Sequence, residues 1–226
     1  MNISVIENVM KLNDEVAATN RARFQAASLL VVDVLGAPGC GKTALIEHTI
    51  QRLNPELRIG VIVGDLATQR DAQRMARFTA NVVQVNTGKT CHLEANHVAR
   101  AIDKLDLDAI DLLFIENVGN LICPVGFDLG QHVKVGVFSV TGGDDKAAKH
   151  PYIVCESSLL ILNKTDLLNV VPFDLGLFRD DVRRLKPDSR MLELSALTGA
   201  GTDAWIDWLR ELRALIPARD REMMSL

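Results

Sequence analysis

The sequence predicts an α/β fold, with a mostly parallel β-sheet covered by helices on both faces. Short apolar runs alternate along the chain with segments whose apolar residues recur at helical spacing. Strands buried on both faces read as continuous apolar runs, and parallel strands need long, usually helical connections. A glycine-rich segment between the first apolar run and a helical pattern points to the same class, in which loops at the carboxyl ends of strands bind ligands.

Apolar runs locate the strands. They predict seven strands, at 29–35, 59–63, 82–85, 111–116, 134–140, 158–163 and 190–193. Each run is four to seven residues long, which is the usual length of a strand and too short for most helices.

Apolar spacings of three and four residues locate the helices. They predict helices at 42–53, 68–79, 92–105 and 202–214, and a helix within 2–24 that leans on the sheet domain. The charged stretch 180–184 is expected to be a solvated helical face. We expect a single domain over 1–226, with 1–27 as a helical extension.

Composition excludes several classes of function. The 226 residues carry a net charge of -4, which disfavours a nucleic-acid-binding surface. No apolar stretch is long enough to span a bilayer, because 29–35 is interrupted by Asp33 and closed by Gly36. The first residues lack the basic start and apolar core of a secretion signal. We therefore expect a cytoplasmic protein.

The segment Gly36-Ala37-Pro38-Gly39-Cys40-Gly41-Lys42-Thr43 matches the phosphate-binding loop pattern in full. Backbone amides of such a loop, together with the next helix N-terminus, bind phosphate oxygens. Lys42 is expected to reach the β- and γ-phosphates, and Thr43 to ligate magnesium. An ordinary glycine-rich turn is the alternative, which the flanking strand and helix disfavour. The predicted phosphate-binding residues are Gly36, Gly39, Cys40, Gly41, Lys42, Thr43 and Ala44.

A second segment predicts the base. Asn163-Lys164-Thr165-Asp166 follows an apolar run, and a carboxylate at Asp166 can accept from both the ring N–H and the amine of guanine. The same four residues could instead start a helix. A loop containing Ser195 and Ala196 is expected to pack against the guanine edge. GTP and GDP are thus the expected nucleotides.

Two carboxylates are expected beside the phosphates. Asp65 ends a strand where a magnesium carboxylate would lie, although Gly-Asp is also common in turns. Glu116 ends a buried strand three residues before Gly119, the spacing of a γ-phosphate sensor. We expect Lys42, Asp65 and Glu116 to be catalytic, and Thr43, Asp65 and Glu116 to bind Mg²⁺ directly or through water. No arginine is placed to assist, so hydrolysis should be slow.

Cysteine and histidine residues predict a transition-metal site. Cys91 and His92 are adjacent, and Cys123 lies in the loop that follows Glu116. Thiolates and imidazole are typical ligands of zinc and nickel. The alternative is an inert buried cysteine beside a surface histidine. Cys155 is expected to be a packing residue.

These motifs together resemble the HypB-type hydrogenase maturation GTPases, of the dimerising SIMIBI class of phosphate-loop GTPases. The resemblance covers about Leu29 to Leu168. Besides the phosphate loop and Asn163-Lys164-X-Asp166-Leu167, it rests on Thr87-Gly88-Lys89 with Cys91-His92-Leu93, on Ile115-Glu116-Asn117-Val118-Gly119-Asn120-Leu121 with Cys123-Pro124, on Phe127-Asp128-Leu129-Gly130, and on Ser139-Val140-Thr141 with Gly143-Asp144-Asp145-Lys146.

The resemblance implies a SIMIBI-type G domain that uses GTP hydrolysis to regulate nickel delivery to the large subunit of a [NiFe] hydrogenase. It implies a GTP-dependent homodimer, with the hydrogenase large-subunit precursor and an accessory nickel-insertion protein as partners. It also implies that Cys91, His92 and Cys123 hold nickel or zinc.

Departures from the family pattern limit these expectations. Residues 1–28 contain no cysteine cluster and no histidine-rich stretch, so a separate N-terminal nickel site is not expected. Thr90, Gly142, Ala147 and Ala148 replace the usual family residues near the metal loop and the dimer contacts. Three other readings stay open: a regulatory GTP-binding module with structural cysteines, a small-molecule kinase, and a urease-type nickel-insertion GTPase, whose Cys-Pro-His motif is absent here.

Overall fold

The computed structural model describes residues 10–65, 70–88 and 90–217. Seven parallel strands form one sheet in the order β3-β2-β4-β1-β5-β6-β7. The strands are β1 (Leu30–Gly36), β2 (Ile59–Asp65), β3 (Val82–Asn86), β4 (Leu112–Glu116), β5 (Val133–Ser139), β6 (Leu159–Asn163) and β7 (Met191–Glu193). The predicted α/β class is confirmed, because each predicted apolar run overlaps a strand.

Eight α-helices connect or flank the strands within the described residues. They are α1 (Lys11–Ala26), α2 (Lys42–Leu53), α3 (Arg70–Met75), α4 (Ala95–Ile102), α5 (Lys146–Lys149), α6 (Pro151–Glu156), α7 (Leu175–Leu185) and α8 (Thr202–Leu215). None of the helices in this part of the chain is long and apolar enough to cross a membrane.

The core lies on both faces of the sheet because alternate residues of each strand point to opposite sides. On one face, Val32 and Val34 of β1 pack with α2, α3 and α8, where Trp205 is fully buried. On the other face, Val31 packs with α1 and α4, and Leu35 with α5, α6 and α7. The central strands are therefore covered on both sides, which explains their unbroken apolar sequences.

Helix α1 packs on α4, as the N-terminal pattern predicts. The buried side-chain amide of Asn20 donates to the carbonyls of Ala95 and Leu129, at 2.9 and 3.2 Å. Arg21 adds an ion pair with Asp128 at 2.7 Å. Residues 2–9 of the predicted segment lie outside the described residues.

The predicted solvated helical face at 180–184 is helical, within α7, and Asp180, Arg183 and Arg184 are exposed, but the prediction is wrong for the other two residues. Asp181 and Val182 are buried in α7, because this helix packs on the sheet through Phe178 and Val182. Because charged residues stand on both sides of these positions, the sequence gives little sign that the helix has a buried face here. Helices α5 and α6 were not predicted, since each is only four to six residues long.

Two predicted helices are shorter than expected. The helix predicted at 68–79 corresponds to α3, which is described from Arg70 to Met75. Residues 66–69 fall outside the described residues. The pattern at 92–105 yields α4 only from Ala95, because Glu94 caps this helix: its side chain accepts from the backbone of His97, and His97 accepts from the backbone of Glu94. Cys91 and His92 consequently lie in the loop before the helix.

Candidate nucleotide and metal site

The glycine-rich loop joins β1 to α2 at the carboxyl edge of the sheet. A cavity of about 460 Å³ opens there, and Lys42, Asp65, Glu116 and Gly119 line it. Gly41 has a φ of +99°, and a Cβ at this position would lie 2.3 Å from Nδ2 of Asn163. A side chain at position 41 is therefore excluded by both backbone conformation and space.

The ammonium group of Lys42 folds back onto its own loop. It donates to the carbonyl oxygens of Gly36 and Ala37, at 3.1 and 3.4 Å, and the residue is only 6% exposed. These are the interactions that a phosphate oxygen can replace, because carbonyls satisfy the ammonium group without neutralising its charge.

Asn163 braces the phosphate loop from β6. Its Nδ2 donates to the carbonyl of Cys40 at 2.9 Å, and its Oδ1 accepts from the backbone amides of Lys164 and Ala196, at 2.8 and 3.0 Å. The side chain is buried and bonds three backbone groups of the protein. Asn163 thus ties the phosphate loop to the 195–196 loop.

Lys164 contacts the phosphate loop. Its Nζ donates to the carbonyl of Gly39 at 2.6 Å and to Thr141 Oγ1 at 3.1 Å. The side chain of Asp166 is exposed beside it, and Ser195 is buried with its Oγ accepting from the backbone of Thr198. An exposed carboxylate next to a lysine stem and a buried turn is an arrangement that can receive a guanine edge.

Glu116 and Thr43 meet at the floor of the cavity. Thr43 Oγ1 donates to Glu116 Oε1 at 2.6 Å, while Oε2 of Glu116 is buried and has no hydrogen-bond partner among the described residues. Burial raises the pKa of Glu116 to about 7, against the lowering effects of Thr43 and Lys42. A buried carboxylate oxygen without a partner, beside a hydroxyl and near Asp65, fits a hard cation such as Mg²⁺.

Gly119, in the loop after β4, lies close against the phosphate loop. A Cβ on Gly119 would lie 2.9 to 3.0 Å from Pro38 atoms, including the backbone. The backbone of Asn120 also donates to the carbonyl of Gly36 at 3.1 Å. The loop after β4 is therefore in direct contact with the loop that would hold the phosphates.

Cys91, His92 and Cys123 come together at one point. One potential ligand atom from each lies within 4.8 Å of the others, and all three residues are partly buried. Because Cys91 and His92 precede α4 in a loop, neighbouring side chains can face the same point. A hydrogen bond with Cys91, followed by burial, raises the pKa of Cys123.

The imidazole of His92 is held in a fixed orientation. It stacks on Phe127 with ring centroids 4.0 Å apart, its Nδ1 lies 3.9 Å from Cys91 Sγ, and its Nε2 lies 3.6 Å from Glu94 Oε1. Burial lowers the pKa of His92. A neutral imidazole with one nitrogen toward a cysteine pair and the other toward a carboxylate is typical of metal-binding histidines.

Several contacts at the site were not predicted. Asn120 Oδ1 accepts from the backbone of Ile122 at 2.8 Å and of Cys123 at 3.4 Å, which shapes the turn that presents Cys123. Arg74 lines the cavity and pairs with Glu47 at 2.5 Å. Asn120 was visible as a turn-forming residue in the motif, whereas the partner of Arg74 is 27 positions away.

The other two cysteines, Cys155 and Cys40, are not part of the cluster formed by Cys91, His92 and Cys123. The prediction that Cys155 packs internally is wrong: it is exposed at the end of α6, where the chain turns toward β6. Cys40 is buried in the phosphate loop, and this burial raises its pKa. Lys89 of the Thr87-Gly88-Lys89 motif lies outside the described residues.

A buried carboxylate on β1 was also not anticipated. Asp33 is fully buried and accepts from Asn117 Nδ2 at 3.1 Å, while its Oδ2 has no hydrogen-bond partner in the described part of the chain. Burial raises the pKa of Asp33 from 3.8 to about 7. Ionisation of Asp33 is therefore less favourable in the folded protein than in the unfolded chain, and this destabilises the fold at neutral and alkaline pH.

We expect Asp33→Asn to raise the free energy of unfolding by a few kcal/mol at pH 8, because the amide still accepts from Asn117 but carries no charge. The gain should be less than half as large at pH 5, since the destabilisation grows only as pH rises from 3.8 to about 7. Urea unfolding of both proteins at the two pH values measures this. A gain independent of pH would contradict a buried ionisable group at this position.

Comparison with known proteins agrees with this architecture. The family described as CobW/HypB/UreG, nucleotide-binding domain, matches residues 30–193. The hydrogenase maturation factor HypB of Azotobacter chroococcum is 44% identical over 99% of the chain and 75% of its own length. The crystal structure of HypB from Archaeoglobus fulgidus superposes with a TM-score of 0.84 at 40% identity, covering 90% and 99% of the two chains. HypB from Helicobacter pylori, in complex with nickel, gives 0.86 at 32% identity over 92% and 98%.

Proposed function

The chain belongs to the HypB family of hydrogenase maturation factors, and from this premise we propose that it couples GTP hydrolysis to nickel delivery. The nickel ion is the cargo, held by Cys91, His92 and Cys123. The nucleotide occupies the cavity between the phosphate loop and Glu116. We further propose that residues 1–226 act as one GTPase domain, with 1–27 as its N-terminal helical extension.

One observation carries the proposal: a single loop borders both sites. Glu116 lies in the nucleotide cavity and Cys123 belongs to the cysteine–histidine cluster. Between them, Gly119 contacts Pro38 and Asn120 bonds Gly36. A ligand that displaces the middle of this loop must disturb both ends, because interfaces packed at this density do not deform at one point only.

The nucleotide chemistry follows from the side chains in the cavity. Lys42 and the loop amides would stabilise the charge that develops on the β- and γ-phosphoryl oxygens. Magnesium, when bound through Thr43, Asp65 and Glu116, would supply further positive charge there. Glu116 is placed to orient the attacking water once its carboxylate is ionised. Arg74 pairs with Glu47 rather than facing the phosphates unpaired, which supports slow hydrolysis by the isolated protein.

The metal chemistry favours a soft, exchangeable divalent ion. Two thiolates and one imidazole suit nickel or zinc, and three protein ligands leave a position for a transfer partner. A solved relative in complex with nickel supports nickel as the cargo. For this function we propose a GTP-dependent homodimer. Its partners would be the hydrogenase large-subunit precursor and an accessory nickel-insertion protein.

Base specificity tests the nucleotide half of the proposal. Asp166→Asn replaces a two-oxygen acceptor with an amide that presents a donor, so we expect GTP to bind about 10- to 1,000-fold more weakly, at a cost of roughly 1–4 kcal/mol, while xanthosine triphosphate improves relative to it. Competition between the two nucleotides for the purified protein measures this.

Asp188→Asn is the matched control for that experiment. Asp188 is also exposed but lies between α7 and β7, at the edge of the sheet opposite the cavity. It should leave both affinities unchanged. An unaltered GTP preference in Asp166→Asn would remove guanine recognition from the proposal.

A second function is a regulatory GTP-binding module whose cysteines are structural. The observation in its favour is that Cys91, His92 and Cys123 are partly buried and packed close together, with the imidazole stacked on Phe127, as in a structural cluster. Equilibrium dialysis against nickel separates the two functions. If the cysteines are only structural, the wild type should bind nickel no more tightly than a variant in which Cys91 and Cys123 are both replaced with serine.

A further inference from the structure

The side chain of Asn117 occupies a buried position between the two sites. Asn117 directly follows Glu116 and is 1% exposed. Its Oδ1 accepts from the backbone amide of Val118 at 3.0 Å and from the backbone amide of Leu93 at 3.0 Å. A single oxygen atom thus joins the loop after β4 to the loop before α4.

The two amides belong to residues that adjoin the two sites. Val118 precedes Gly119, whose Cα packs against Pro38 of the phosphate loop. Leu93 follows His92, one of the three clustered ligand residues, and is fully buried. A rotation of the Asn117–Val118 peptide would therefore shift the acceptor oxygen of Asn117 and change the hydrogen bond that fixes the peptide after His92, because one oxygen accepts both bonds.

Asp33 fixes the orientation of the amide. Nδ2 of Asn117 donates to Oδ1 of Asp33 at 3.1 Å, so Oδ1 of Asn117 must face the two backbone donors. The reversed amide would direct its NH₂ group at two N–H groups and its oxygen at a carboxylate. Only one orientation satisfies all the groups, so the link between the loops is rigid.

We propose that Asn117, oriented by Asp33, is a positioning residue that transmits the nucleotide state from Gly119 to Cys91 and His92. This rests on the proposed function, from which the nucleotide in the cavity that Gly119 lines and the nickel at His92 are taken. The link is separate from the covalent connection to Cys123, and it acts on the other half of the metal cluster.

The test combines two measurements on Asn117→Ala. The first is hydrogen exchange of the Leu93 amide by NMR in metal-free protein, with GDP and with a nonhydrolysable GTP analogue. The second is nickel affinity in the same two nucleotide states. The wild type should show a Leu93 exchange rate that depends on the nucleotide. In Asn117→Ala, exchange should be fast in both states, and the ratio of the two nickel affinities should fall to half of the wild-type ratio or less.

Two further variants separate positioning from general destabilisation. Asn20→Ala removes a side-chain amide that is equally buried but bonds the carbonyls of Ala95 and Leu129 rather than the amides of Leu93 and Val118. It should lower stability without changing the nickel ratio. The double variant Asp33→Asn with Asn117→Asp exchanges donor and acceptor but keeps an oxygen facing Leu93 and Val118, and it should restore the ratio.

Each outcome decides one question. A wild-type nickel ratio retained in Asn117→Ala overturns the role of Asn117, and so does a Leu93 exchange rate that does not respond to nucleotide in the wild type. Failure of the wild type to bind nickel overturns the proposed function instead, and the Leu93 exchange measurement still tests the link because it uses no metal.

Discussion

Replacing Lys42 with alanine is expected to lower the rate of GTP hydrolysis on the order of 100- to 1,000-fold, the usual cost of losing one group that stabilises transition-state charge. The ammonium group of Lys42 is the positive charge of the phosphate loop, and its own contacts are two loop carbonyls. Phosphate release under single-turnover conditions measures the effect directly.

The same substitution should barely change the melting temperature of the nucleotide-free protein. Lys42 bonds to only two carbonyls of its own loop, so its loss removes a buried charge together with two weak contacts. Lys104→Ala, at an exposed position beyond α4, is the matched control and should leave hydrolysis unchanged. Near wild-type hydrolysis by Lys42→Ala would contradict a catalytic phosphate loop.

The second large effect concerns the metal. Cys123→Ser is expected to weaken nickel binding by more than about 100-fold, because residues that merely orient a ligand already contribute 10- to 100-fold. A serine hydroxyl fits the same space and is a poor ligand for a soft metal. Titration with nickel at fixed pH measures this, since thiolate ligation releases protons.

Cys155→Ser provides the control for that measurement, because Cys155 is exposed on α6 and is not part of the cluster. It should bind nickel as the wild type does. GTP affinity should be preserved in both variants, since neither side chain lines the nucleotide cavity. Equal nickel affinities in Cys123→Ser and the wild type would exclude Cys123 as a ligand.

The sequence predicts most of the strand and helix positions in this protein because the signals are local. Helix α2 runs from Lys42 to Leu53, as its apolar spacing indicates, and the phosphate loop before it is a contiguous motif. The cluster of Cys91, His92 and Cys123 is predicted from residue chemistry together with the family resemblance, and the described residues bring these side chains within reach of one another.

The remaining features depend on contacts between distant segments. Asn117 was visible in the motif after Glu116, but its bonds reach Leu93 and Asp33, 24 and 84 positions away. The start of α4 depends on reciprocal capping by Glu94 and His97, which apolar spacing does not register. A charged residue inside the apolar run of β1 was the one local signal for Asp33.

We propose that nucleotide and metal are bound beside one shared loop and therefore influence each other. The most direct measurement is nickel affinity of the wild-type protein with GDP and with a nonhydrolysable GTP analogue, at fixed pH. We expect the two affinities to differ by about 5- to 150-fold, and nickel to change the relative affinity for the two nucleotides by the same factor. Equal nickel affinities in the two nucleotide states would contradict the coupling, even if nickel bound tightly at Cys91 and His92.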